Sequence, residues 1–121
     1  MSYNCDTFKT KVIKDFKFPV QSLYKHARTD WHPERENNDD GTVTFYNLGT
    51  ELSGKIEGDI FHCESIDCSG EGSGTVMKWI LEPAFKDSTG DLTASCVWEG
   101  GDSINRIIVK DGVVKWEDID I

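Results

Sequence analysis

His62, Cys63 and Cys68 form the densest group of potential metal ligands in the sequence, with Cys96 further along. Thiolate and imidazole are zinc ligands. The Cys63-x4-Cys68 gap, however, is wider than the two-residue gap of a zinc knuckle, and no second close pair follows. On a regular strand His62 and Cys63 project to opposite sides, so one ion cannot take both without a bend. The plainer reading is free thiols packed as small apolar groups. The same alternation sets Cys63 and Cys68, five apart, on opposite faces, which predicts no disulfide between them. No metal and no cofactor is expected.

Glu36, Asn38, Asp40 and Gly41 alternate oxygen ligands and put glycine at the sixth place, as a calcium loop does. The first place is Glu rather than Asp, and the twelfth is Asn47 where a bidentate Glu is needed. An Asp40-Gly41 turn entering a strand explains the same residues. Ser69 to Gly74 is glycine-rich, but it carries Glu71 and no lysine. A phosphate cradle needs amide donors, a cation and a following helix, so a hairpin loop is the simpler reading. His26, His32 and His62 could activate Cys63, Cys68 or Ser22 only through proximity in space. The sequence contains no credible catalytic set, and an enzyme is the third reading.

The candidate ligand-binding residues are Trp31, Trp79, Trp98, Trp116 and Tyr24. Large aromatics usually fill a core. Their alternative use is to line a cup or anchor a partner. Trp31, beside His32-Pro33, has the weakest claim to a core role.

Composition bounds what these residues can serve. The 121 residues fit one domain, and the 37% apolar content suffices for a core without staples. No apolar run reaches the roughly 18 residues of a membrane span. The opening Met1 to Asp6 does not read as a secretory signal, so a cytoplasmic setting with reduced thiols is expected. The net charge is −9. Residues 1–35 carry seven Lys/Arg against four acids, whereas residues 36–121 carry six against eighteen. Such a field disfavours nucleic acid and anionic membranes and favours basic partners. It also serves simply to keep a β protein soluble and its edges unpaired.

Phe8, Thr10, Val12, Phe16 and Phe18 share one side of a strand and Lys9, Lys11, Asp15 and Lys17 the other. Ile13 and Lys14 break the alternation, which suggests a bulge. Pro19 opens a helix over about 19–29, with Val20, Leu23, Tyr24 and Ala27 at helical spacing and Pro33 limiting it. Thr29 to Asp40 reads as the longest loop. Strands follow at Val43–Leu48, Leu52–Glu57, Ile60–Cys68, Val76–Leu81 and around Leu92–Trp98, the cleanest of the set. Val76–Leu81 is apolar on both faces and reads as central, with Pro83 ending it. Ile104–Lys110 and Val113–Ile119 flank Asp111-Gly112, the signal for a type I′ hairpin with positive φ at Gly112 and with Ile108 or Val109 opposite Val113 or Val114. The expected fold is mainly β (α+β): an antiparallel meander of about 7–8 strands curled into a barrel or cup, with one N-terminal helix against it. Closure would join the Lys9–Lys17 strand to the acidic C-terminal strand carrying Glu117 and Asp118.

Phe16-Lys17-Phe18-Pro19, followed by Leu23-Tyr24 and Trp31, resembles the strand-then-helix opening of helix-grip lipid-binding domains. Those domains close with a long C-terminal helix, whereas this chain reads as ending in a strand, so it is not assigned to them. The leading functional expectation is a non-enzymatic acidic domain that engages a basic protein partner, in the manner of inhibitors and immunity proteins. The alternative is a β-cup for a small apolar or aromatic ligand.

Overall fold

A computed structural model describes residues 5–25, 33–47, 49–68, 81–98 and 104–119. Among them run eight strands: β1 (Cys5–Pro19), β2 (Glu34–Asn37), β3 (Val43–Asn47), β4 (Thr50–Glu57), β5 (Ile60–Cys68), β6 (Thr89–Trp98), β7 (Ile104–Lys110) and β8 (Val113–Ile119). Among the described residues, two single-turn helices join them, α1 (Gln21–Tyr24) and α2 (Glu82–Phe85).

All eight strands form one antiparallel sheet in the order β2-β3-β4-β5-β1-β6-β7-β8. The chain therefore makes two meanders, and its first strand fills the gap between them. This corrects the closure into a barrel: β2 and β8 are the two edges and do not pair. It also corrects the expected pairing of β1 with the C-terminal strand. β1 pairs with β6 over most of its length and with β5 at its far end. With β5 on one side and β6 on the other, β1 is an interior strand, and β8 lies beyond β7 at the far edge. The β2 edge is blunted instead by being short, charged and exposed at all four residues.

Three register shifts interrupt the pairing of β1 with β6, at Cys5/Thr7, Thr10/Val12 and Lys14/Lys17, and the last two are bulges that set which side chains face the core. An extra residue between Thr10 and Val12 turns Val12 outward, 45% exposed, and brings Ile13 inward against the core. A second, between Lys14 and Lys17, contains Asp15 at φ 50 and restores Phe16 and Phe18 to the inner face. Across from it Gly90 has φ +87, and a Cβ there would lie 2.0 Å from the Asp15 carbonyl oxygen. Only glycine fits both the conformation and the space.

The inner face carries the core. Phe45, Phe61, Phe18, Phe16 and Phe85 make a chain of edge-to-face contacts with ring centroids 5.1–5.8 Å apart. Each such ring contributes about 1.5–3 kcal/mol by leaving water. α2, a helical turn around Pro83 that the sequence reading took for a strand end, adds buried Leu81, Ala84 and Phe85. The rest of the expected strand Val76–Leu81 lies outside the described residues. The expected helix over 19–29 is also corrected. Pro19 still pairs with Ile60 in the sheet, Val20 donates its N–H to the Asp59 carbonyl, and α1 begins only at Gln21. Residues 26–32 lie outside the described residues. Ser22 Oγ donates to Asp87 at 2.9 Å and ties α1 to the turn after α2.

The Asp111-Gly112 hairpin is as expected. Both residues have positive φ, 45 and 83, and Val109 pairs with Val114. Asp111 also accepts the Gly90 N–H at 2.9 Å and donates its own N–H to the Gly90 carbonyl at 3.0 Å, so the hairpin tip clamps the second β1 bulge from beyond β6.

Candidate functional site

Among the described residues, His62 does not converge with the cysteines. His62 and Cys63 project to opposite faces of β5. His62 is half-buried on the outer side, 3.7 Å from Glu57, while Cys63 is buried in the core. Burial, the largest cause, pushes the Cys63 thiol up to about 12. Cys63, Cys68 and Cys96 are buried and not in disulfides, so the expectation of no Cys63–Cys68 disulfide holds. Its reasoning does not, because Glu64 is an extra residue between the Ser53–Ser65 and Gly54–Cys63 pairs. That bulge turns both thiols inward. Among the described residues no three His, Cys, Asp or Glu side chains group in a way that could hold a metal ion.

The calcium-like residues form the expected turn. Asp40 accepts from the Thr42 N–H at 3.0 Å and the Thr42 hydroxyl at 2.6 Å, and Asn38 donates to Thr42 and Thr44. The Thr42 hydrogen bonds hold the Asp40 carboxyl below its ordinary 3.8. That carboxylate is therefore committed to the turn.

Of the ligand-binding candidates, Trp31 and Trp79 lie outside the described residues, as does the Ser69–Gly74 loop. Trp98 ends β6, with its side chain outside the described part. Trp116 packs half-buried against the core and donates Nε1–H to Glu82 at 2.8 Å. Tyr24, 38% exposed, sits edge-on to Phe45 at 6.3 Å. Trp116 and Tyr24 thus stand on opposite arms of the sheet, one beside α2 and β8, the other above β3.

The feature that sequence reading missed is on the outer face. Strand register places Glu34, Tyr46, Glu51 and Asp67 in one row across β2, β3, β4 and β5. Paired residues in an antiparallel sheet share a face, and all four are exposed. Glu51 and Asp67 are direct cross-strand partners, an arrangement that costs stability. Tyr46, 36% exposed, lies between Glu34 and Glu51. The charge of Glu34, with smaller effects of desolvation and Glu36, raises its phenol above the ordinary 10.0. The only sequence signal for this row was the acidic excess after residue 36. Placing Glu34 in it required β2, whose Glu-Arg-Glu-Asn sequence has no apolar alternation.

No family model, curated protein or solved structure matches the chain. No helix among the described residues is long and apolar enough to cross a membrane.

Proposed function

We propose that this protein is a non-enzymatic binding domain that engages a basic protein partner through the acidic half of its outer sheet face. The observation that supports this is the row Glu34–Tyr46–Glu51–Asp67. Two carboxylates, Glu34 and Glu51, flank an exposed aromatic ring, and a third, Asp67, lies beyond Glu51 in the same row. Tyrosine offers a large contact area for little loss of side-chain freedom, which makes it a frequent interface anchor. Carboxylates around it steer a cationic partner and set its register. Their mutual repulsion is relieved when lysine or arginine arrives, so binding recovers the stability that the Glu51–Asp67 juxtaposition gives up.

The test is capture from the native host with the wild-type chain and with Glu51→Lys/Asp67→Lys, at low and high salt. The expected result is a basic protein retained at low salt, released at high salt and not retained by the variant. A wild-type chain that retains nothing at any salt, or a variant that retains the same protein equally well, overturns the reading.

A further inference from the structure

We infer that two copies of this chain associate through the outer faces of their sheets, the acidic half of each lying on the basic half of the other. The outer face divides by sheet position, not by sequence. On the β2–β5 side, register directs Glu34, Glu36, Glu51, Glu57 and Asp67 outward against Lys55 alone. On the other side β1 contributes Lys9, Lys14 and Lys17, and the far meander contributes Arg106, Lys110 and Lys115. Among the described residues that register directs outward there, Asp91 and Glu117 oppose them, while exposed Lys11 and Asp15 sit at the two β1 bulges. Each half carries a surplus of four charges, of opposite sign, and the border falls between β5 and β1 with four strands on either side.

The lysines of this basic half make no ion pair among the described residues. The one ion pair in it joins Arg106 to Glu117 at 3.7 Å. A two-fold axis parallel to the strands sets β2 over β8, β3 over β7, β4 over β6 and β5 over β1 of the second copy. β2 with Glu34 and Glu36 then lies over β8 with Lys115 and Glu117, β3 with Tyr46 over β7 with Arg106 and Lys110, and β5 with Asp67 over the β1 lysines. An axis across the strands would put like charge on like, so charge alone selects the first arrangement. It is also isologous and closed, the commonest form of dimer. Tyr46 and Val12, exposed by 36% and 45%, leave water in it. Each chain carries −9 overall, but at physiological salt the Debye length of about 8 Å screens that repulsion more than it screens contacts across the interface.

This inference goes beyond the partner reading and does not depend on it. A basic partner on the acidic half would compete with the second copy. The two are separable because self-association is measured on the isolated chain.

The experiment is sedimentation equilibrium of the full chain near physiological salt, with Lys9→Glu/Lys115→Glu and with Glu34→Lys/Glu51→Lys. The expected result is a dimer for the wild type, at least about tenfold weaker association for each variant, and a one-to-one dimer when the variants are mixed. Recovery in the mixture also establishes that both are folded. A variant that fails to fold is replaced by the corresponding Gln substitutions, which are expected to weaken association in the same direction. A wild-type chain that stays monomeric to about 100 μM overturns the inference. So do folded variants that dimerise as the wild type does, or a mixture of folded charge-reversed variants that stays apart.

Discussion

Gly90 and Asp15 meet backbone to backbone across β1 and β6, so closely that a Cβ on Gly90 would stand 2.0 Å from the Asp15 carbonyl oxygen. The same crowding recurs at Gly54, whose Cβ would lie 1.9 Å from the His62 carbonyl oxygen. Both glycines sit beside bulges that set which side chains face the core. Gly90→Ala and Gly54→Ala are each expected to destabilise the fold by about 2–4 kcal/mol, since backbone must move to admit the methyl. Gly58 has φ +61 but open space around it, so Gly58→Ala carries only the conformational cost of about 1–2 kcal/mol. Urea unfolding of the three variants checks the order. Equal losses at all three positions would show that conformation, not crowding, governs them.

The Asp40 turn has a pH signature. Its carboxyl is held below 3.8, chiefly by the Thr42 hydroxyl and then by the Thr42 N–H. A depressed carboxyl contributes stability above its unfolded value, and that contribution is lost as pH falls through the folded value. NMR titration is expected to give Asp40 a midpoint below 3.8. In Thr42→Val the hydroxyl is gone and the N–H remains, so the midpoint rises part of the way back. An unchanged midpoint in that variant would discount the hydroxyl.

Cys63 titrates in the opposite sense. Its thiol rises from the ordinary 9.0 to about 12 through burial. Above pH 9 the unfolded chain loses this proton while the folded chain keeps it, so the thiol's contribution falls between about 9 and 12. The stability advantage of the wild type over Cys63→Ala should therefore shrink as pH rises through that window. The limiting slope is about 1.4 kcal/mol per pH unit. Paired urea unfolding curves at several alkaline pH values measure it. A constant difference would mean that the folded thiol titrates normally.

Alternation and turn chemistry carried most of the strand pattern. Ile104–Lys110, Val113–Ile119 and Ile60–Cys68 lie where the sequence pattern puts them, the first two flanking the Asp111-Gly112 signal. What alternation cannot supply is parity across a bulge. Val12 was assigned to the core side with Phe8, but one inserted residue sends it outward and puts Ile13 in its place. Glu64 does the same between Cys63 and Cys68. Strand order lay further out of reach. β1 is separated from β6 by most of the chain, and nothing local in Lys9–Lys17 says that its neighbours will be β5 and β6 rather than β8. The outer-face charge division depends on that order. The basic residues of β1 and of β7–β8 become one surface only once β6 lies between them. The acidic row was hidden for the same reason, since Glu34 and Asp67 are thirty-three positions apart in sequence and three strands apart in the sheet.

Glu51→Lys separates stability from binding at the acidic row. In the wild type Glu51 faces Asp67 directly, a like-charge pair on adjacent strands. Lysine at that position turns the pair into an attractive one. Because both side chains are exposed, screening leaves only ~0.5 kcal/mol of gain. The variant is therefore expected to unfold at slightly higher urea than the wild type while losing retention of a basic partner and weakening self-association. A binding defect in a protein that is no less stable cannot be ascribed to loss of fold. If Glu51→Lys instead retains partner and dimer unchanged, the row is a solvated face whose carboxylates only keep the β2 side of the sheet soluble. Asp67→Lys, from the other strand of the same pair, should reproduce each effect. The double variant Glu51→Lys/Asp67→Lys restores a like-charge pair of the opposite sign, so it should lose the stability gain while remaining unable to bind.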